Sequence, residues 1–152
     1  MKNKFLFEMK SRGYLHQCTD YDNLERISSQ KSITAYIGFD CTASSLHVGS
    51  LLQIMILRLM QNYGHRPIVL LGGGTTLIGD PSGKDSTRKV LDKKDIKKNI
   101  LNIQKVFYKI LDFSDKKTKP IFVDNSKWLT KLNYIEFLRQ IGSCLLYTSD
   151  AA

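Results

Sequence analysis

Apolar residues fall along this chain in two kinds of run: short unbroken ones, and longer ones recurring at three- and four-residue spacings. Residues 33–39, 67–72 and 120–125 are of the first kind, rich in β-branched and aromatic residues, and predict strands. The first of these is expected to be buried on both faces. From Leu46 to Met60 the apolar positions keep a helical spacing and run up to Tyr63-Gly64, where glycine predicts the stop. His47 to Ser50 would then form that helix's first turn. Leu91 to Leu111 is a second amphipathic stretch, with Asp92 and Asp95 near its start, where the helix dipole favours acids. Leu132 to Ile141 predicts the start of a third. Phe7, Leu15, Leu24 and Ile27, interrupted by Gly13, suit two short amino-terminal helices. Strand and helix thus alternate, which predicts an α/β fold built on a doubly wound parallel sheet with helices on both faces. Trp128 falls in the loop after the third strand as a packing residue, and His65, beside Arg66, reads as surface structure.

Composition changes this picture little. Of the 152 residues, 42% are hydrophobic and 24% charged, which excludes a disordered chain, and no apolar run reaches the roughly 20 residues of a bilayer helix. The basic amino end is cut by Glu8 and Lys10 before a signal peptide could form, so a cytoplasmic chain is expected. Cys18, Cys41 and Cys144 are odd in number and form no Cys-x-x-Cys pair, which suggests neither a disulfide framework nor a zinc site. The net charge of +9 is concentrated. Between Lys84 and Lys119 twelve Lys or Arg face five Asp, a surplus of seven, which points either to an anionic partner such as phosphate or RNA, or to a solvated helix face.

The candidate chemistry lies where the first two strands end. In a parallel sheet, ligands sit at the carboxyl ends of the strands, where helix amino termini also point. Two loops emerge there, one spanning Asp40 to Ser50 and the other Gly72 to Lys84, both crowded with small and polar residues. Neither common phosphate fingerprint fits the second. Gly79 and Gly83 are separated by three residues rather than four and Lys84 is followed by Asp85, while Gly72-Gly73-Gly74 is followed by no third spaced glycine. Singly, each polar residue has a structural alternative: Tyr36 as a core aromatic, Asp40 and Ser45 as turn and cap, His47 as a cap, Asp80 as a turn before Pro81.

Together, and in order, they carry a specific likeness. Tyr36-x-Gly-Phe-Asp-x-Thr-Ala-x-Ser-Leu-His-Val-Gly49, Gly64-His-Arg-Pro67 and Leu77-Ile-Gly-Asp-Pro-Ser-Gly-Lys84 resemble the catalytic domain of bacterial-type tyrosyl-tRNA synthetases, class I enzymes. The resemblance runs from about residue 5 to Gly142. His47-Val-Gly-Ser50 stands where the His-Ile-Gly-His signature stands, with Ser50 in place of its second histidine.

The resemblance implies a Rossmann-like domain that activates tyrosine with ATP, releases pyrophosphate and passes the tyrosyl group to tRNA(Tyr). Such a reaction needs donors and cations around growing phosphate charge more than it needs a base. By this likeness Thr42, His47, Lys84 and Arg88 would meet the leaving phosphates, and Gly38, Asp40, Thr42, His47, Gly49 and Ser50 would line the ATP site. Tyr36, Asp40, Thr75, Asp80 and Asn125 would hold the amino acid, Tyr36 through the substrate phenol and Asp80 through its ammonium. No resident cofactor or metal is implied; Mg2+ is expected to come with ATP. A homodimer and no membrane association are expected of the full-length enzyme.

The family's later ATP-binding Lys-Met-Ser-Lys-Ser loop has no counterpart in these residues. Residues 1–142 are accordingly expected to be an incomplete catalytic domain, inactive alone, and residues 143–152 a non-native or frame-shifted tail. Two other readings stand beside this one: a non-catalytic nucleotide- or RNA-binding module using the lysine-rich helix, and a synthetase for another aromatic amino acid such as tryptophan.

Overall fold

A computed structural model describes residues 3–78 and 91–142. Two amino-terminal helices, α1 (Lys4–Ser11) and α2 (Tyr21–Gln30), precede β1 (Thr34–Phe39), α3 (Val48–Asn62) and β2 (Arg66–Leu71). The chain continues through α4 (Gly73–Ile78), α5 (Lys93–Ile110), β3 (Ile121–Asp124), α6 (Ser126–Leu129) and α7 (Tyr134–Phe137), which runs on as a π-helical turn over Leu138–Gly142. The three strands form one parallel sheet in the order β1-β2-β3, with Tyr36 opposite Ile68 and Val69 opposite Phe122. The α/β parallel architecture flanked by helices is thus the expected one.

Strand alternation sorts the sheet into two unequal faces. Phe39, Pro67, Val69, Leu71 and Phe122 point to one, and all but the half-buried Phe122 are buried. The apolar stripe of α5 packs on this face through Phe107, whose ring meets Phe39 edge-on at 4.9 Å and Phe122 at 5.8 Å. Helix α3 covers the remainder with Ile54, Leu57 and Met60, and its Gln61 amide donates to the carbonyls of Asp112 and Thr118 beyond α5. On the other face Ile68, Leu70, Ile121 and Val123 are half-buried and Tyr36 is 67% exposed. The layer expected there is not supplied by the described residues. Strand β1 is therefore not buried on both faces: among the described residues it lies at the sheet edge, and only Phe39 of its six residues is buried.

Three smaller expectations also change. The second loop is partly helical, because Gly73 to Ile78 coils into α4 directly after β2. Trp128 sits in α6 rather than a loop and stays 44% exposed. His65 is buried, at 4% exposure, because Gly64 with φ +78° turns the chain back under α1. Its ring packs edge-on against Phe5 at 4.8 Å, and its Nδ1 accepts from the Ile33 amide at 3.4 Å. Tyr63, tied to Glu8 of α1 by a hydroxyl–carboxylate hydrogen bond, closes the same junction.

Burial holds the His65 pKa below its ordinary value, so the neutral ring belongs to the folded state. In the unfolded chain it protonates near pH 6.5. Its contribution is therefore complete above that pH and is lost as the pH falls below it. The urea midpoint should drop on going from pH 7.5 to pH 5.5, and the part of the drop due to this ring should vanish in His65→Asn, which keeps an acceptor for Ile33 but cannot charge.

Candidate functional site

The carboxyl ends of all three strands converge on one set of polar groups. After β1 the chain turns at Asp40, whose carboxylate lies over Gly72, with Oδ1 3.7 Å from where a Cβ would stand. After β2, Gly72 donates to the Phe39 carbonyl at 2.9 Å, and after β3 the Asn125 amide donates to the Leu71 carbonyl at 3.0 Å. The ladder thus extends one step past β2 and past β3.

The run of glycines here has a packing reason. A Cβ on Gly73 would come within 2.5 Å of Asp124 Oδ1, and one on Gly74 within 3.0 Å of the Ser126 backbone. Helix α4 can therefore start against the end of β3 only without side chains. The contact places the Gly74 amide against Asn125 Oδ1 at 2.7 Å, and Asn125 Nδ2 then donates to Thr75 Oγ1 at 3.2 Å. Asn125 is buried and Thr75 exposed, so a partly desolvated amide presents a hydroxyl at the surface.

Gly38 and Gly49 differ from that run. A Cβ on Gly38 would meet nothing within 4 Å, and one on Gly49 only His47 Nδ1 at 3.4 Å. Both are exposed and neither is required by internal packing, so the space in front of each is open to a ligand. Gly38 lies between Tyr36 and Asp40 along the open side of β1, where the Tyr36 hydroxyl has no partner among the described residues.

His47 is the N-cap of α3. Its Nδ1 accepts from the Gly49 amide at 3.1 Å, which puts the ring proton on Nε2 and leaves that nitrogen as a donor at the mouth of a helix with no acid in its first turn. Ser50 donates its amide to the His47 carbonyl at 2.9 Å and is half-buried. Thr42 is exposed between them and Asp40. An imidazole N–H, a hydroxyl and a helix terminus thus line one loop, an arrangement suited to phosphate oxygens.

The structure accordingly brings together Asp40 with Gly72, Thr75 with Asn125, and His47 with Gly49 and Ser50, and leaves Tyr36 and Gly38 on the open strand. Asp80, Lys84 and Arg88 lie outside the described residues. Three groups that the sequence reading did not single out belong to the same region: Cys41, Thr76 and Asn99. Burial pushes the Cys41 thiol up to about 11, so it stays neutral and unreactive near neutral pH. A cavity of about 550 Å3 lies on the other side of α4, between Ile96 and Ile100 of α5 and Phe122 of β3, with Lys93, Lys97 and Lys127 in its wall. None of the expected site residues within the described chain lines it.

Comparison with known proteins relates this chain to one family. The family model of tRNA synthetases class I (W and Y) matches residues 28–148. The tyrosine–tRNA ligase of Pelagibacter ubique (strain HTCC1062) is 63% identical over 140 residues, covering 92% of this chain and 34% of that protein. That of Rickettsia massiliae (strain Mtu5) is 55% identical over 140 residues, with the same coverage of 92% and 34%. Among solved structures, a C-terminally truncated mitochondrial tyrosyl-tRNA synthetase of Aspergillus nidulans superposes with a TM-score of 0.74 at 27% identity, over 91% of this chain and 42% of that one. The chain spans about a third of the length of the curated relatives it matches. With the model covering most of its residues, the chain belongs to the class I tRNA synthetases of the W and Y family.

Proposed function

We propose that this chain forms part of a tyrosine–tRNA ligase, which joins tyrosine to ATP as an adenylate and passes the tyrosyl group to tRNA(Tyr). The observation that carries the reading is the junction of two half-sites on one sheet end. A buried Asn125 holds Thr75 out beside the glycine turn, and His47 caps α3 with Nε2 free to donate. The naming of the relatives as tyrosine–tRNA ligases supports tyrosine over tryptophan, between which the family alone does not choose.

In this reading Tyr36 offers its hydroxyl to the substrate phenol, and Thr75 and Asn125 line the amino-acid side with Asp80. Gly38, Asp40, Gly49 and Ser50 leave room for ATP, and Thr42 and His47 bond the phosphates that leave, joined by Lys84 and Arg88. No side chain needs to act as a nucleophile: attack by the tyrosine carboxylate on the α-phosphate requires the two anions held in line and the charge on pyrophosphate stabilised as it grows. Mg2+ would arrive on the nucleotide phosphates as part of the substrate. The exposed lysines of α5, Lys93, Lys94, Lys97, Lys98, Lys105 and Lys109, favour RNA as a second anionic partner, through salt-dependent contacts with phosphates. A homodimer and a cytoplasmic location complete the proposal. Among the described residues no helix is long and apolar enough to cross a membrane.

The test is tyrosine-driven exchange of pyrophosphate into ATP, measured in the full-length protein that carries this segment. Tyr36→Phe should narrow the preference for tyrosine over phenylalanine by roughly tenfold, the value of one hydrogen bond to a desolvated hydroxyl. Exchange driven by tryptophan and not by tyrosine would overturn the assignment.

A further inference from the structure

We infer that Thr76 and Asn99 are positioning residues for this reaction, acting together through the backbone of Cys41 to hold the loop that carries Asp40, Thr42 and His47. The inference rests on the proposed function and extends it to two residues that touch no substrate. Thr76 Oγ1 accepts from the Cys41 amide at 3.2 Å, and Asn99 Nδ2 donates to the Cys41 carbonyl at 2.9 Å. All three residues are buried, Cys41 completely. The clasp joins α4, α5 and the turn after β1, with the two hydrogen bonds spanning 35 and 58 positions of sequence.

Asn99 occupies a position on α5 that its neighbours mark for an apolar residue, since Ile96 and Ile103 lie on the same buried stripe. An amide there carries a desolvation cost unless it is bonded, and its buried partner is the Cys41 carbonyl. Thr76 does the same from α4. The loop needs such an anchor. Among the described residues, Cys41 is the one position between Phe39 and His47 whose backbone groups are bonded, while Thr42, Ala43, Ser44 and Ser45 are all exposed. Thr42 is adjacent to the anchor, and His47 is fixed at the other end by its own cap. Where two anions must meet in line, a shift of even part of an ångström in a donor lowers the rate steeply.

The test uses the full-length protein with Thr76→Val, which keeps shape and removes the acceptor, Asn99→Leu, which keeps the stripe apolar, and Thr76→Ser, which restores the acceptor. Tyrosine-driven pyrophosphate exchange should fall about tenfold in kcat for Thr76→Val and Asn99→Leu, with the KM for tyrosine within twofold of the parent and Thr76→Ser close to it. Backbone amides of residues 42–46 should exchange with deuterium faster in the first two variants and not in the third. A kcat within twofold for both Thr76→Val and Asn99→Leu overturns the inference, as does a fall that Thr76→Ser fails to rescue. If the parent protein shows no tyrosine-driven exchange, the functional reading fails instead, and unchanged deuterium exchange at residues 42–46 then decides against the clasp on its own.

Discussion

On the proposed function, replacing His47 by alanine in the full-length protein that carries this segment should lower tyrosine-dependent pyrophosphate exchange by about 10² or more, the usual cost of removing one donor aimed at charge that develops in a transition state. Two effects are mixed in that variant, because His47 also caps α3 through Nδ1. Loss of a cap costs about 1 kcal/mol of helix stability, which lowers the urea midpoint without changing the rate of the folded protein. His47→Ser separates them: its hydroxyl can accept from the first-turn amides, but it is too short to replace Nε2. The serine variant should keep most of the parent's stability and lose most of its exchange rate, with the KM for tyrosine little changed. A serine variant as active as the parent would show that the ring serves α3 alone.

The largest effect on stability should come from Phe107. Its ring is fully buried between β1 and β3, touching Phe39 and Phe122 edge-on, and it joins α5 to both outer strands of the sheet. Phe107→Ala should cost about 3–5 kcal/mol, combining lost transfer energy with a cavity that three fixed elements cannot close. Phe107→Leu should cost clearly less, since most of the volume stays filled. Urea unfolding reads both, and an alanine cost below about 1 kcal/mol would mean that the α5–sheet packing is not the centre of the core. Because Phe39 immediately precedes Asp40 and Cys41, the same substitution should also loosen the site loop, seen as faster deuterium exchange there in protein that is still folded.

Most of the secondary structure was legible because its signals are local. The strands at residues 34–39, 66–71 and 121–124 and the helices α3 and α5 follow runs and spacings that burial of one face imposes on any such element. Asp92 could be read as a helix start, and it accepts from the Asp95 amide at 2.7 Å. Of the candidate site, the residues of one continuous stretch from β1 into the start of α3 were legible as a motif: Tyr36, Gly38, Asp40, Thr42, His47, Gly49 and Ser50. The pairing of Thr75 with Asn125 was legible only as common membership of a pocket, since a bond across 50 positions leaves no mark in local sequence.

By itself, then, the sequence determined that this chain is a parallel α/β domain with polar, glycine-rich loops after its first two strands, because alternation, helical period and loop composition are properties of neighbouring residues. Tertiary structure decided what each of those residues faces. Histidine beside an arginine reads as surface, yet His65 is buried because Gly64 turns it under Phe5. A strand of apolar and aromatic residues reads as central, yet β1 is at the edge and Tyr36 faces out. Three glycines that fit neither common phosphate fingerprint have no reason in local sequence, yet Gly73 and Gly74 are there because Asp124 and Ser126 leave no space for a Cβ. Burial, close approach and long-range hydrogen bonds depend on which distant segments meet, and that is settled only when the sheet and its helices pack.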